Sequence, residues 1–198
     1  MKAVVFDIGN VLVRWEPHRA FAPALGGHDA AEAFMARTGF MARNLRADAG
    51  ESFADLAAEI SDPGDRALLA TYVERYRATV PEAIEESWAL MERLRERGLQ
   101  IHAITNWSAE TWPHGVAMHP RLATAFGVTV ISGHERVLKP DPRIFAALCE
   151  RTGLDAADCL FIDDSLKNVA GARAFGMQAE HFTTPGALET ALAARGLL

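Results

Sequence analysis

Lys2–Val13 reads KAVVFDIGNVLV, and the order of its parts decides the fold. Ala3, Val4, Val5 and Phe6 form an unbroken apolar run, the pattern of a strand buried on both faces of a parallel sheet. Asp7 ends the run, Gly9 and Asn10 follow as turn formers, and Val11–Val13 resume an apolar stretch. A carboxylate at the C-terminal end of a central parallel strand lies in the crevice where open α/β sheets bind ligands. Taken alone, Asp7 is simply a residue that starts a turn. Three later stretches change that.

Outward from this strand, residues 14–80 show helical spacing. Phe21, Leu25, Phe34, Phe40, Leu45, Phe53, Leu56, Leu69 and Tyr72 supply apolar faces. Ser52 and Asp55 resemble a capping box, and Asp62-Pro63-Gly64 is a break. The expectation is a helical module inserted after the first strand, with residues 1–13 and 81–198 forming the α/β core.

In that core a helix is expected from Pro81 to Arg97, and a second strand over Leu99–Thr105. Ser108 is placed to cap a short helix. Further strands are expected over Phe126–Ile131, Asp158–Ile162 and Met177–Phe182. Helices alternate with them: one capped by Asp141 with Pro142 at its first position, one from Ser165 to Gly176, and one from Pro185 to Arg195. This alternation specifies an α/β fold with a doubly wound parallel sheet.

Composition narrows the function classes. With 198 residues, 49% hydrophobic and 23% charged, the chain reads as an ordinary globular protein with room for one core and a small insert. A net charge of −6 argues against nucleic acid or an acidic membrane surface as a partner. Cys149 and Cys159, two cysteines in apolar surroundings, offer no disulfide framework, so a reducing cytoplasm is expected. Neither a secretory leader nor a stretch of transmembrane length is visible.

The C-terminal strand ends carry a coherent chemistry. Asp7 follows the first strand, Thr105-Asn106 the second and Asp163-Asp164 the fourth, while Lys139 precedes the Asp141-Pro142 helix start. These ends share one edge of a parallel sheet. A carboxylate there can attack phosphorus and split a hard hydrolysis into two displacements. Asp7, Asp163 and Asp164 form a hard oxygen set suited to Mg²⁺. Thr105 and the backbone N–H groups after it can donate to a phosphoryl group, and Lys139 can neutralise both nucleophile and phosphate.

Four stretches, FDIGNVL (6–12), ITN (104–106), LKPDPRIF (138–145) and FIDDSLKNVAGARAFGM (161–177), together resemble the motifs of the haloacid dehalogenase (HAD) superfamily of hydrolases. The resemblance spans the chain and includes a helical cap after the first motif. It implies Asp7 as nucleophile, Thr105 and Asn106 as phosphate binders and Lys139 as the motif-three lysine. It also implies Asp163 and Asp164 at the metal, with Asp164 the direct ligand, and Asn168 in support. Most phosphatases of the superfamily carry a second Asp as general acid and base where this chain has Gly9. Glycine keeps the backbone carbonyl offered to the metal but lacks the proton donor, a loss typically worth about 10²–10⁴ in rate. The D-x-G-N-V form resembles a sugar-1-phosphate phosphatase branch. The implied function is Mg²⁺-dependent hydrolysis of a small phosphorylated metabolite, a sugar phosphate being one candidate.

Two other functions fit the same motifs: a 2-haloacid dehalogenase, and a HAD-fold binding protein inactive for want of an acid at Gly9. Against the dehalogenase, adjacent carboxylates repel both a carboxylate substrate and a departing halide. His102, His114, His119 and His134 show no metal-ligand spacing. Trp15, Trp107 and Trp112 flank the motifs and are expected mainly in packing, and Arg14 and Arg43 are expected at the surface.

Overall fold

The computed structural model describes all 198 residues. Strands β1 (Ala3–Phe6), β2 (Gln100–Thr105), β3 (Thr129–Ile131), β4 (Cys159–Asp163) and β5 (Gln178–His181) form one parallel sheet in the order β3-β2-β1-β4-β5. The chain builds outward from β1 through β2 to β3, then crosses over to lay β4 on the other side of β1. That reversal makes the C-terminal end of β1 the switch point of the sheet. Phe6 pairs with Ala103 and with Ile162. One step further along, Asp7 therefore stands beside Ile104 and Asp163, and its N–H donates to Ile162 O at 2.8 Å.

Burial on both faces explains why the β1 sequence does not alternate in polarity. Ala3 and Val5 pack on one side, with Ile144, Phe145, Val169 and Ala172. Val4, Phe6 and Ile8 pack on the other, with Trp88, Met91, Leu94, Leu188 and Leu192. The helices supplying these layers are α5 (Glu85–Glu96), α7 (Pro142–Thr152), α8 (Leu166–Phe175) and α9 (Pro185–Ala194). A shorter helix, α6 (Trp112–Met118), follows β2.

Between β1 and α5 lie α1 (His28–Arg37), α2 (Phe40–Asp48), α3 (Phe53–Ala58) and α4 (Pro63–Ala70), with shorter helical turns before and after them. Their apolar faces meet around Tyr72, whose ring lies within 4.8–5.7 Å of Phe21, Phe40, Phe53 and Tyr76. Ser52 caps α3 by accepting from Asp55 N at 3.1 Å, and its hydroxyl donates to the Asp55 carboxylate at 2.7 Å. No helix is long and apolar enough to cross a membrane.

Several local expectations change. The helix expected from Pro81 starts at Glu85. Before it, Ala83 bridges to Val13 and Ile84 N donates to Leu12 O at 2.8 Å, so the end of the insert is tied to its beginning. The third strand is only Thr129–Ile131. Ser108 accepts from Glu110 N at 3.1 Å in a turn, and α6 begins later, at Trp112. The helix expected from Ser165 runs from Leu166, and the Ser165 N–H donates to Asp163 Oδ1 at 2.8 Å. Leu45, expected among the buried apolar faces, is 49% exposed.

Helix α8 bears directly on residues 139–140. A Cβ built on Gly171 would lie 2.3 Å from Pro140 Cβ and 3.0 Å from Pro140 O. Alanine improves helix propensity by about 1 kcal/mol, whereas overpacking of this kind costs about 1–3 kcal/mol. Gly171→Ala is therefore expected to lower unfolding free energy by up to about 2 kcal/mol in urea titration. A stabilised variant would mean that Pro140 shifts freely.

Candidate active site

At the switch point, Lys139 reaches between two strands. Its Nζ lies 2.7 Å from Asp7 Oδ1 and 2.7 Å from Asp163 Oδ2, and it donates to Ile104 O at 3.0 Å. All three charged side chains are buried. The backbone that carries the lysine is clamped from β2: Lys139 N donates to Asn106 Oδ1 at 2.8 Å, and Asn106 Nδ2 donates to Lys139 O at 3.3 Å. Two buried carboxylates with no cation would repel each other strongly, so the ammonium is what allows them to share the space.

The two carboxylates differ in what remains available to them. Asp163 Oδ1 accepts from Ser165 N and from Asn168 Nδ2 at 3.0 Å, while Oδ2 takes Lys139 and a second approach of Asn168 Nδ2 at 3.2 Å. Asp7 Oδ1 accepts from Ile8 N at 2.7 Å besides its lysine contact. Asp7 Oδ2 makes no hydrogen bond within the chain. Burial raises the Asp7 carboxyl above its ordinary range, Lys139 opposes this, and Asp163 and Asp164 reinforce it. Burial alone would lower Lys139, but the charges and hydrogen bonds of Asp7 and Asp163 outweigh it, so the ammonium keeps its proton.

Carboxylate oxygens of Asp7, Asp163 and Asp164 lie within 4.8 Å of one another. This all-oxygen set suits Mg²⁺. The donors are unequal, however. Asp163 is fully buried with both oxygens already engaged, whereas Asp164 lines the cleft and is exposed. Burial first and then Asp163 raise the Asp164 carboxyl, and the Asn10 side chain bonds to it. Asn10 adopts φ 56°, a left-handed turn that brings its amide back over the site. The residues present fit a divalent cation held through Asp164 and Asp7, with Gly9 alongside in the cleft lining and Asp163 fixed behind them.

The cleft above these groups has a volume of about 240 Å³. Its core side contributes Asp7, Gly9, Asn106, Lys139, Asp164 and Asn168. Thr105, buried at the end of β2, is not part of the lining, and its hydroxyl makes no hydrogen bond within the chain. Of the backbone donors expected after it, Trp107 N–H is already committed to Ser132 Oγ at 2.9 Å. Trp15 and Trp107 line the cleft, while Trp112 packs edge-on against Trp107 with centroids 5.2 Å apart. Arg14 and Arg43 stay outside, the latter engaged by Thr38 O, Leu56 O and Glu59. His102 is structural: its Nδ1 accepts from Val128 N at 3.0 Å.

The cap side holds what the sequence did not reveal. Met41 and Leu45, one turn apart on α2, are 56% and 49% exposed and line the mouth of the cleft. Asp48, the last residue of α2, lines the same cleft and is itself buried. Asn44 Nδ2 donates to Asp48 Oδ2 at 3.0 Å, and the Ser108 backbone bonds to the carboxyl. Burial pushes Asp48 up to about 7, against the opposing effects of Ser108 and Lys139. Ser132 Oγ donates to Asp48 O at 2.6 Å while accepting from Trp107 N, which latches the end of α2 to the core.

Two expectations follow. Lys139→Met leaves Asp7 and Asp163 buried without a cation, and chemical denaturation should show a loss of about 3–5 kcal/mol; a loss below about 1 kcal/mol would mean the carboxyls tolerate each other unaided. For Asp48, the folded pKa of about 7 stands above the ordinary carboxylate value of 3.8, so its stabilising share is complete below pH 4 and lost as pH rises through 7. Asp48→Asn should accordingly melt a few degrees above the parent at pH 8, the gap closing at pH 4. A constant gap across that range would contradict the assigned shift.

Residues 1–176 match the haloacid dehalogenase-like hydrolase family. The sesquiterpene phosphatase astK of Aspergillus oryzae is 27% identical over 92% of this chain and 90% of its own length. Among solved structures, a HAD family enzyme from Bacteroides thetaiotaomicron in its magnesium complex superposes with a TM-score of 0.69 at 20% identity, covering 92% of this chain and 93% of that one. A dehalogenase superposes with a TM-score of 0.71 at 19% identity, over 98% and 97% of the two chains. At such identities the two structures speak for the fold alone. The family match covers four of the five strands, the insert and every residue that lines the cleft, and the chain belongs to the haloacid dehalogenase-like hydrolases.

Proposed function

We propose that the protein is a Mg²⁺-dependent phosphomonoester hydrolase that works through an aspartyl-phosphate on Asp7. The observation that carries this is the charge balance of the cleft. Lys139 is the single cation in its lining, against Asp7, Asp48 and Asp164, with Asp163 behind. A phosphate dianion needs more positive charge than one ammonium already shared by two carboxylates. When bound, Mg²⁺ supplies that charge and polarises the phosphoryl oxygens. Asp7 Oδ2 is the oxygen with freedom to attack, since Oδ1 is fixed by Ile8 N and Lys139. The Thr105 hydroxyl, unbonded within the chain, is the expected donor to a phosphoryl oxygen. Asn106 contributes chiefly by holding Lys139 in place, and Asn168 by holding Asp163.

The organic part of the substrate is read from the upper cleft. Val13, Trp15, Met41, Leu45, Val80 and Trp107 present apolar surface there, with Asn44, Thr111, Asp48 and the Tyr76 phenol as the polar groups. A sugar would leave most of its hydroxyls against hydrocarbon, at a cost of about 1–3 kcal/mol for each unpaired group. An alkyl or isoprenyl chain instead gains about 0.8 kcal/mol per buried methylene. The similarity to a sesquiterpene phosphatase supports the same choice. The proposed substrate class is therefore a phosphate monoester of an apolar alcohol rather than a sugar phosphate.

Hydrolysis of octyl, isoprenyl and sugar monophosphates, and of 2-chloropropionate, with Mg²⁺ and with chelator, tests this reading. Phosphate release should need Mg²⁺, and kcat/KM for the apolar esters should exceed that for sugar phosphates by roughly 10²-fold, as four or so buried methylenes predict. Asp7→Asn should abolish turnover. Chloride release in chelator would establish the dehalogenase instead, and no turnover of any substrate would leave the binding-protein reading standing.

A further inference from the structure

We infer that Asp48, carried by the cap at the end of α2, is the proton donor and acceptor that the chain lacks at Gly9; this rests on the reading of Asp7 as nucleophile. The core supplies no substitute. A Cβ at Gly9 would meet nothing within 4 Å, so no neighbouring side chain fills the place of the missing carboxyl. Among the cleft-lining groups that could exchange a proton, Lys139 is held as an ammonium by its two carboxylates, and Asp164 belongs to the metal set. Burial raises the Tyr76 phenol far above its ordinary value, which makes it a poor partner for proton transfer in either direction. No histidine lines the cleft. Asp48 remains.

Its surroundings suit the task. The charged and titratable groups that act on it are Lys139 from the core edge and, within the cap, Tyr72 and Tyr76, whose phenols sense its charge. A carboxyl raised to about 7 by burial is present in both forms near neutral pH, the condition for efficient acid–base exchange. The latch through Ser132 to Trp107 and the bond from Asn44 fix the carboxyl's position before substrate arrives. Met41 and Leu45 lie on the same helix, so the organic group they contact is brought towards the same residue.

The steps balance with water as the only co-reactant. Asp7 Oδ2 forms a bond to phosphorus as the ester P–O bond breaks, and the Asp48 proton passes to the departing alkoxide oxygen. Water then attacks phosphorus, the Asp7–phosphorus bond breaks, and the proton lost by water returns to Asp48.

The test is a leaving-group series with Mg²⁺, from 2,4-dinitrophenyl phosphate to alkyl phosphates, in wild type and Asp48→Asn. Wild type should show a shallow dependence of kcat/KM on leaving-group pKa; a steep one overturns the inference without any variant. Asp48→Asn should steepen the dependence, costing alkyl esters about 10²–10⁴-fold. With the dinitrophenyl ester the variant should release a rapid burst of phenolate equal to the enzyme present, then turn over slowly, because water attack has lost its base. An equal loss in the first step for every leaving group would make Asp48 a merely structural residue. Turnover unchanged in Asp48→Asn would overturn this inference alone. A burst absent from wild type and variant alike, with no hydrolysis by either, would overturn the phosphatase reading and this inference with it.

Discussion

The buried contact of Lys139 with Asp7 and Asp163 is the constraint on which the rest of the site depends. It crosses from the segment before α7 to β1 and β4, so three separate stretches of chain must arrive in register for it to form. Desolvating these groups opposes folding, and their mutual attraction repays that only when the geometry is held closely. The surrounding bonds supply that geometry: Asn106 to the Lys139 backbone, Asn168 and Ser165 to Asp163, and Ile8 to Asp7. Every one of these partners sits within a few residues of a strand end, where the parallel sheet makes position most reproducible.

The same geometry divides the cleft by chemistry. Its floor is the sheet edge, with rigid, charged groups suited to a phosphoryl group that varies little between substrates. Its upper wall comes from the insert, where Met41, Leu45 and Asp48 share one helix. The insert is also anchored to the core at points beside that helix, through Ser132 to Asp48 O and through Glu110, which accepts from Phe53 N at 2.7 Å. A helix anchored at the end that carries its carboxyl places that carboxyl against the core, while the exposed apolar side chains one and two turns back line the mouth of the cleft. Preorganisation of this kind spares the reorganisation that a mobile acid would need.

Much of this was legible in the sequence, for identifiable reasons. The unbroken apolar runs at Ala3–Phe6 and Leu160–Ile162 reflect burial on both faces of a parallel sheet, and residues that break such runs stand out as site candidates. The order of Asp7, Thr105-Asn106, Lys139 and Asp163-Asp164 located the edge. The cap residues were not legible, because helical periodicity reports that one face of a helix is apolar without saying what covers it. Leu45 fits a core pattern and lies instead at a cleft mouth. Asp48 sits between two alanines in RADAGE with no motif around it, and only its tertiary burial against Ser108 and Ser132 distinguishes it from a surface acid. Asn106 was expected as a phosphate ligand; its amide also holds the Lys139 backbone, a partner 33 residues away that no local pattern discloses.

In the proposed reaction Asp7 Oδ2 becomes covalently bonded to phosphorus. Quenching the enzyme with borohydride during steady-state turnover of a phosphate monoester, followed by peptide mass spectrometry, examines this at the atom concerned. An acyl phosphate at that position is reduced, so the peptide containing residues 2–14 should carry homoserine in place of Asp7 only when substrate and Mg²⁺ are both present. An unmodified Asp7 under rapid turnover, or reduction at Asp48 or Asp164 instead, would contradict the account.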